Sequence, residues 1–281
     1  MHHLLLASCL ALAIVSGCAR TPDGTAATTP DSAAPDSAAP ASATPSAEAA
    51  PAPDMAAVLG NPSRPADDRE RDARDKPAEV LALAKFEAGD TVADILAGGG
   101  YYSEILSGIV GPQGNVLLVN DERYEAFGKQ GVAQRLAAGR LPNVRHVVGP
   151  SDALGMGEGT LDGAVIVMSY HDLYWVDEKK PEQQKIDADQ FLGQIAAALK
   201  PGGALLVVDH SAKPGTGSAD AQTLHRIDEQ FTTADFAKHG LVLETSSDLL
   251  RNAADDRSKN VFDPAIRGST DRFVHLYRKA E

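Results

Sequence analysis

Cysteine is almost absent from this chain. Cys9 and Cys18 are the only two cysteines among its 281 residues, and both lie near the start of the sequence. The residues after position 18 therefore form no disulfide, offer no thiolate to a metal ion and contain no cysteine nucleophile. Chemistry in this part of the chain must come from other side chains.

Positive charge is scarce as well. Lys and Arg together number 26, against 39 Asp and Glu, which gives a net charge of -13. No long basic run interrupts this excess of acids, and residues 64–76, where the signs alternate, are interpreted as a solvated mixed-charge helix. Because nucleic acids and anionic membrane surfaces attract positive charge, we expect neither as a partner.

Long hydrophobic runs are missing too. Residues Leu4–Val15 form an apolar run of about twelve residues, too short for a transmembrane helix but typical of a signal-peptide core. The following motif VSGC, which ends at Cys18, resembles the lipobox of bacterial lipoproteins. This resemblance implies export and lipidation of Cys18. Because Ala19 follows, it also implies an anchor in the outer membrane, on its periplasmic face.

Residues 19–60 are predicted to be a disordered linker. They are dominated by Ala, Pro, Ser and Thr, and prolines recur at Pro30, Pro35, Pro40 and Pro45. This composition buries too little apolar surface to order the chain, and the prolines interrupt helices. The sequence therefore predicts a signal peptide at 1–18, a linker at 19–60 and one folded domain at 61–281.

The folded domain is organised around a strand that ends in a run of glycines. An apolar run, Thr91–Leu96, leads into Gly98, Gly99 and Gly100, and a helical pattern resumes at once. This order is typical of nucleotide-binding α/β units, in which the turn approaches the ligand and the helix N-terminus faces it. A structural turn without a ligand is the alternative. Asp94, inside the strand, requires a hydrogen-bond partner, either the amides of the turn or a ligand.

Strand and helix patterns alternate through most of the domain, which predicts a doubly wound α/β fold with a Rossmann-like parallel sheet. Two strands with no helix between them close the chain and predict a final antiparallel pair. The helices are expected from residue 77, from about residue 101, and over 124–138, 191–199 and 224–239. The seven predicted strands are 91–96, 115–120, 144–148, 161–168, 204–208, 242–245 and 272–278.

The pattern resembles class I S-adenosylmethionine-dependent methyltransferases, and in its details a group of exported bacterial predicted methyltransferases of unassigned substrate. The resemblance covers about residues 65–281. It rests on the segment 92–94 with Gly98 and Gly100, on Asp152 after the third strand, and on the segment LKPGG at 199–203 before the fifth. The order and spacing of these pieces carry the resemblance.

The resemblance implies a site for S-adenosylmethionine. Two positions depart from the family pattern: Leu96 stands where the first glycine of the loop is usual, and Asn120 stands where an acid is usual. The residues implied to hold the amino-acid part of the cofactor are Asp94, Gly98, Gly99 and Gly100. The residues implied for the ribose are Asn120 and Asp121, and those implied for the adenine are Asp152 and Ala153.

Two His–Asp pairs follow neighbouring strands of the predicted sheet. His171 and Asp172 come after the fourth strand, and Asp209 and His210 after the fifth. Reactive groups collect at this edge of an open α/β sheet, so we predict His171 or His210 as the general base, oriented by Asp172 or Asp209. A third cluster, 225–229, is expected near the same opening.

Two other readings of these pairs remain open. They could bond backbone groups at the strand ends and only shape the pocket. They could also hold magnesium, as the acids of catechol-type O-methyltransferases do, although histidine suits a softer ion, and the sequence therefore predicts no metal.

The function expected from the sequence is methyl transfer from S-adenosylmethionine to an unidentified small molecule. The alternative is an envelope protein that keeps the methyltransferase fold and binds a ligand or partner without catalysis. The substitutions Leu96 and Asn120 favour this alternative, as does the cytosolic origin of S-adenosylmethionine. The sequence gives no indication of oligomeric state.

Overall fold

The computed structural model describes residues 54–180 and 185–281. The predicted signal peptide, its lipidated Cys18 and the linker up to residue 53 lie outside these ranges. Within them, no helix combines the length and the apolar character needed to cross a membrane.

Strands and helices alternate from the first strand to the fifth, except that the described residues between the third and fourth strands form no helix. The helices are α1 (Met55–Leu59), α2 (Ala66–Asp75), α3 (Pro77–Ala82), α4 (Tyr101–Val110), α5 (Glu122–Leu136), α6 (Ala188–Ala198), α7 (Ala221–Leu224) and α8 (Glu229–Ala237). Short 3-10 helices cover Ala137–Gly139 and Tyr170–Tyr174. The strands are β1 (Thr91–Ile95), β2 (Asn115–Asp121), β3 (Val144–Gly149), β4 (Leu161–Val167), β5 (Leu199–His210), β6 (Leu241–Ser247) and β7 (Arg272–Lys279).

The strands of the described chain form one seven-stranded sheet in the order β3-β2-β1-β4-β5-β7-β6. β1 to β5 pair in parallel, whereas β7 is antiparallel to both β5 and β6. The predicted fold class is therefore confirmed, including the antiparallel closing pair. The strand order reverses between β1 and β4, which is where open α/β sheets form their ligand crevice.

Two apolar layers cover the two faces of the sheet. Along β1, Ala93 and Ile95 belong to the layer that includes α6 and α8, and Val92 belongs to the layer that includes α3 and α4. Successive side chains of a strand point to opposite faces, so Asp94 shares the α4 face with Val92. An ionisable carboxyl is thereby placed in an apolar layer.

The helix predicted over 224–239 is shorter in the structure: α7 ends at Leu224, and α8 covers only Glu229–Ala237. Between them His225 adopts a left-handed conformation, with φ of 53°, and Ile227 forms a β-bridge with Ser211. Asp228 then caps α8 by accepting a hydrogen bond from the amide of Gln230. The helical pattern is overridden because the residues between the helices bury their side chains beside the end of β5.

The fifth strand is longer than predicted. It begins at Leu199 rather than Ala204, and its register against β4 shifts between Leu161 and Gly163. The segment LKPGG thus enters the sheet as an irregular strand start.

The mixed-charge segment 64–76 is a helix over most of its length, but it is not simply solvated. Arg64 and Asp75 are 2% and 1% exposed. The Asp75 carboxylate accepts hydrogen bonds from Arg71 and from Arg272 in β7. The ion pair between Asp75 and Arg272, both buried, therefore fastens α2 to β7.

A second buried cation, Arg226, anchors the long polar segment 252–270, which precedes β7. Its side chain is fully buried, and it donates hydrogen bonds to the backbone oxygens of Ser211 and Lys259 at 3.0 and 2.9 Å. The same guanidinium donates a hydrogen bond to Oδ1 of Asp255 at 3.0 Å, and Oδ2 of Asp255 accepts a hydrogen bond from the amide of Asp271. One side chain thus ties Ser211, the residue after β5, to Asp255 and Lys259 of the polar segment.

Replacing Arg226 with Ala is expected to lower the free energy of unfolding by about 3–5 kcal/mol, because the Asp255 carboxylate is left buried without its cation. Urea denaturation followed by circular dichroism measures the change. The matched control is Arg278→Ala, which breaks a partly exposed pair with Glu244 and should cost less than about 1 kcal/mol. Equal losses in the two variants would contradict the anchoring role.

Asp94 is a deeply buried acid in β1, the strand at the centre of the sheet. Its side chain is 3% exposed, and one oxygen accepts a hydrogen bond from the Ser103 hydroxyl, in the first turn of α4, at 2.7 Å. Burial raises the pKa of Asp94 to about 6, against the opposing effect of hydrogen bonds from Ser103 and of the charges of Arg71 and Arg135. The folded state therefore favours the protonated carboxyl.

This raised pKa predicts a pH-dependent stability. The contribution of Asp94 is present below its unfolded pKa of about 3.9 and is lost as the pH rises through about 6. Between pH 4 and pH 7, the free energy of unfolding of the wild type should fall by about 2 kcal/mol relative to Asp94→Asn. Urea denaturation of both proteins across this range measures the difference, with the exposed Glu70→Gln as control. A difference that stays constant with pH would contradict it.

Candidate active site

The glycine turn after β1 has left-handed backbone at alternate positions. Leu96, Gly98 and Gly100 have φ values of 54°, 56° and 81°. Leu96 therefore keeps the conformation that a glycine would adopt without strain, and its side chain is 3% exposed in the core. The substitution preserves the shape of the turn and adds an apolar anchor, at a cost in backbone strain.

Helix α5 lies directly against this turn. A Cβ atom added at Gly128 would approach the backbone oxygen of Gly98 to 2.5 Å, and one added at Gly131 would approach the Cα of Gly99 to 3.1 Å. Two glycines of α5 thus permit a backbone-to-backbone contact with the turn. The turn is covered by the protein's own helix.

The polar backbone groups of the turn are bonded within the protein. The Asn120 side chain accepts a hydrogen bond from the Gly98 amide at 2.9 Å and donates one to the Gly98 oxygen at 3.0 Å. Arg135 donates to the oxygen of Gly99 at 2.7 Å. Asn120 therefore holds the turn, and an acid at this position could not make both bonds.

Asp121 occupies the start of α5. One oxygen of its carboxylate accepts a hydrogen bond from the Tyr124 amide at 2.8 Å, and the other accepts one from the Ser151 hydroxyl at 2.9 Å. The residue links the end of β2 to the segment after β3, which also carries Asp152. Two of the predicted adenosine-binding acids therefore lie on adjoining segments.

A cavity of about 1030 Å³ opens at this edge of the sheet. Its size is at the upper end of the range for ligand pockets, about 300–1000 Å³. Of the residues predicted for cofactor or catalysis, Asp121, Asp152 and Asp172 line it. The predicted residues that are not part of its lining are Asp94, Gly98, Gly99, Gly100, Asn120, Ala153, His171, Asp209 and His210.

His171 is held between two carboxylates. Its Nδ1 lies 2.7 Å from Asp209, whose other oxygen accepts a hydrogen bond from the His171 amide at 2.9 Å. Its Nε2 lies 3.4 Å from Asp172. The acid that orients this histidine therefore comes from the neighbouring strand, β5, and the two predicted pairs form one cluster.

The two candidate bases have opposite protonation preferences. Burial alone would lower the pKa of His171, but the charges of Asp209 and Asp172 raise it to about 9. Burial, together with the nearby positive charges of His171 and Arg272, lowers the pKa of His210 well below its usual value. At neutral pH His171 is therefore a cation, whereas His210 is neutral and bonded through Nδ1 to Thr270.

Asp172 contacts His171, His225 and Tyr124. Burial alone would raise its pKa, but His171 and hydrogen bonds from His225 and Tyr124 hold it at about 2. The Tyr124 hydroxyl donates to one oxygen at 2.5 Å, and His225 lies 3.5 Å from the other. The carboxylate is thus ionised and approached from three elements of the fold.

Tyr124 is the residue that the sequence did not indicate. It belongs to the first turn of α5, after β2, and its partner Asp172 follows β4. Because β1 lies between β2 and β4, the tyrosine reaches across the end of β1. His225 was expected near the opening and does line the cavity, whereas its neighbour Arg226 is a structural anchor.

The chain is similar in sequence to quinone-pathway methyltransferases. No protein-family model matches it. It is 25% identical to the ubiquinone/menaquinone biosynthesis C-methyltransferase UbiE of a Marinomonas species, over 194 residues that cover 68% of each chain. It is 30% identical to UbiE of Citrobacter koseri over 142 residues, which span half of that protein.

Solved structures share the fold at lower identity. A methyltransferase from Aquifex aeolicus, described as dependent on S-adenosylmethionine, superposes with a TM-score of 0.52 and 16% identity, over 81% of this chain and 99% of the other. The [4+2]-cyclase SpnF superposes with a TM-score of 0.52 and 14% identity, over 78% and 85%. The fold thus also occurs in a protein named for another reaction.

The described residues fit S-adenosylmethionine in part. Asp121 and Asp152 lie in a roomy cavity, where acids can accept hydrogen bonds from ribose hydroxyls and the adenine amine. The glycine turn does not fit the amino-acid end in this conformation, because α5 covers it and Asn120 bonds Gly98. The chain has the class I methyltransferase fold, and its sequence relatives indicate an S-adenosylmethionine-dependent methyltransferase.

Proposed function

We propose that this protein transfers a methyl group from S-adenosylmethionine to a small molecule bound in the cavity at the carboxyl edge of the sheet. The observation that carries the proposal is the pair of acids, Asp121 and Asp152, facing this cavity at the places where the family resemblance puts the ribose and adenine. The sequence similarity to UbiE supports the same reaction type.

The cavity offers the two halves of such a site. Asp121 and Asp152 would hold the adenosine, and Tyr124, Phe127 and Trp175 provide aromatic surface for an apolar part of the substrate. When bound, S-adenosylmethionine supplies an electrophilic methyl group. Contact between its amino-acid end and the turn at Gly98 requires α5 and the Tyr124 side chain to move away from the end of β1.

The histidine cluster sets the electrostatics beside the cavity. With no metal ion bound, His171 is a cation at neutral pH and would stabilise negative charge that develops on a substrate atom near Asp172. It does not accept a proton until the pH approaches its pKa of about 9. His210 is neutral, but it lies outside the cavity lining and its lowered pKa makes it a weak base, so a proton released from the substrate passes to solvent.

A second candidate function is a ligand- or partner-binding protein that retains the methyltransferase fold without catalysis. The closed glycine turn favours it, because both polar backbone groups of Gly98 are already bonded to Asn120. The two functions differ in one observable, which is the binding of S-adenosylmethionine itself.

Asp152→Ala is expected to weaken the binding of S-adenosylmethionine about tenfold, because one hydrogen bond to the adenine amine is lost. Isothermal titration calorimetry of the full-length chain measures this change. Asp152 is exposed and its carboxylate makes no hydrogen bond in the described structure, so the melting temperature should stay the same.

The control for this comparison is Glu70→Ala, which removes an exposed acid outside the cavity lining and should leave the affinity unchanged. Absence of measurable binding to the wild type at millimolar S-adenosylmethionine would contradict methyl transfer and favour the binding protein. Unchanged affinity in Asp152→Ala would indicate that the adenine binds in another part of the cavity.

We further propose that the mature protein is a lipoprotein of the cell envelope, anchored to the outer membrane through lipidated Cys18 and facing the periplasm. The proposal rests on the apolar segment Leu4–Val15 and the VSGC motif. The linker that follows would separate the folded domain from the membrane surface. Such a location requires S-adenosylmethionine, or another ligand, to reach the envelope.

Cys18→Ser is expected to abolish labelling by radioactive palmitate and to move the protein from the membrane to the soluble fraction, because the anchored acyl chains are lost. Fractionation of expressing bacteria with an immunoblot measures the redistribution. Cys9→Ser, inside the apolar segment, is the matched control and should remain membrane-bound. A soluble wild type, or a labelled Cys18→Ser variant, would overturn the assignment.

A further inference from the structure

Two side chains of the cavity lining, Asp172 and His225, and the neighbouring His171 bring potential metal-ligand atoms close together. His171 and Asp172 follow β4, and His225 ends α7. One ligand atom from each residue lies within 4.8 Å of the other two. We propose that these residues bind a divalent transition-metal ion of the zinc type, which departs from the sequence-based expectation of no metal.

The distances in the cluster match the coordination shell of such an ion. Zinc binds imidazole nitrogen and carboxylate oxygen at about 2.0–2.2 Å, so neighbouring ligands of a tetrahedral site lie roughly 3.4 Å apart. The Oδ1 atom of Asp172 is 3.4 Å from Nε2 of His171 and 3.5 Å from Nδ1 of His225. The two imidazole nitrogens lie within 4.8 Å of each other, so they would have to approach by up to roughly 1.4 Å.

Two further residues orient the ligands by contacting atoms that would not bind the ion. Asp209 lies against Nδ1 of His171 at 2.7 Å, which directs Nε2 toward the cluster. Tyr124 donates to Oδ2 of Asp172 at 2.5 Å, which leaves Oδ1 for the ion. Carboxylate behind a ligating histidine and hydrogen bonds to a ligating carboxylate are the usual support of a metal site.

The donor set selects the class of ion. Two imidazoles and one carboxylate suit zinc or iron(II), whereas magnesium and calcium prefer an all-oxygen shell. Three protein ligands also leave a coordination position open, which is the arrangement of catalytic rather than structural zinc. The neighbouring Asp209 contributes no ligand, because both of its oxygens already bond His171 and the amide of His210.

The open position faces the cavity. Asp172 and His225 both line it, and their side chains are 20% and 17% exposed. An ion there would bind an oxygen of a small molecule in the cavity and polarise it, which makes a hydroxyl a better nucleophile. Metal binding itself depends on neither S-adenosylmethionine nor methyl transfer, so the two proposals fail separately.

The test is calorimetric titration of the full-length chain with zinc chloride, after treatment with EDTA and dialysis, without S-adenosylmethionine. We expect a site with a Kd in the micromolar range or below. His225→Ala and Asp172→Asn should weaken it at least tenfold, since loss of even an outer partner costs about 10–100-fold. Both residues are partly exposed, which favours folding of the variants.

The matched control is His146→Ala, which removes an imidazole paired with a single acid, Glu125, and should leave zinc binding unchanged. Zinc bound elsewhere, for example by His2 and His3, would persist in all variants. Zinc bound at the proposed site is therefore measured as the decrease in stoichiometry from the wild type to His225→Ala. Zinc should also raise the melting temperature of the wild type but not that of His225→Ala.

Two results would overturn the proposal. One is the absence of binding to the wild type at about 1 mM zinc, and the other is equal stoichiometry and affinity in the wild type and His225→Ala. If the variants do not fold, the wild type loaded with Co²⁺ decides. A visible absorption band of nitrogen and oxygen coordination supports the site, and its absence rejects it.

Discussion

The contact between His171 and Asp209 joins the ends of two neighbouring parallel strands, and the rest of the carboxyl edge is arranged around it. An imidazole that is 3% exposed is stable as a cation only because carboxylates compensate for its lost hydration. Asp209 supplies that compensation from β5 and fixes the ring. Asp172, His225 and Tyr124 then converge on the atoms that the ring leaves free.

The glycine turn shows that a fold can be kept while its usual contacts are redirected. In related α/β folds the turn and the helix N-terminus leave amides free for a ligand. Here Asn120 takes both polar groups of Gly98, and Gly128 lets α5 lie against the turn. The left-handed conformation of Leu96 preserves the backbone path throughout. The open space at this edge of the sheet lies in the cavity beside the turn.

The polar segment before the last strand also contributes to this edge. Buried Arg226 bonds Ser211, Asp255 and Lys259, so the segment is held against the end of β5. His225 is the preceding residue, and its ring packs against Phe262 of the same segment, with centroids 5.0 Å apart. A structural ion pair therefore positions a residue of the cavity wall.

The sequence by itself determined the fold class, the seven strands in their approximate places and the His–Asp pairs after β4 and β5, because these follow from local periodicity and from where strands end. Only the tertiary structure decided that Asp209 orients His171, that Tyr124 reaches Asp172, and that α5 closes the glycine turn. Tyr124 and Asp172 are 48 residues apart, and Asp75 and Arg272 are 197 apart, so no local pattern records their contact. The shortening of the helix predicted over 224–239 has the same cause: burial of Arg226 outweighs local helical preference, and burial is a property of the packed chain.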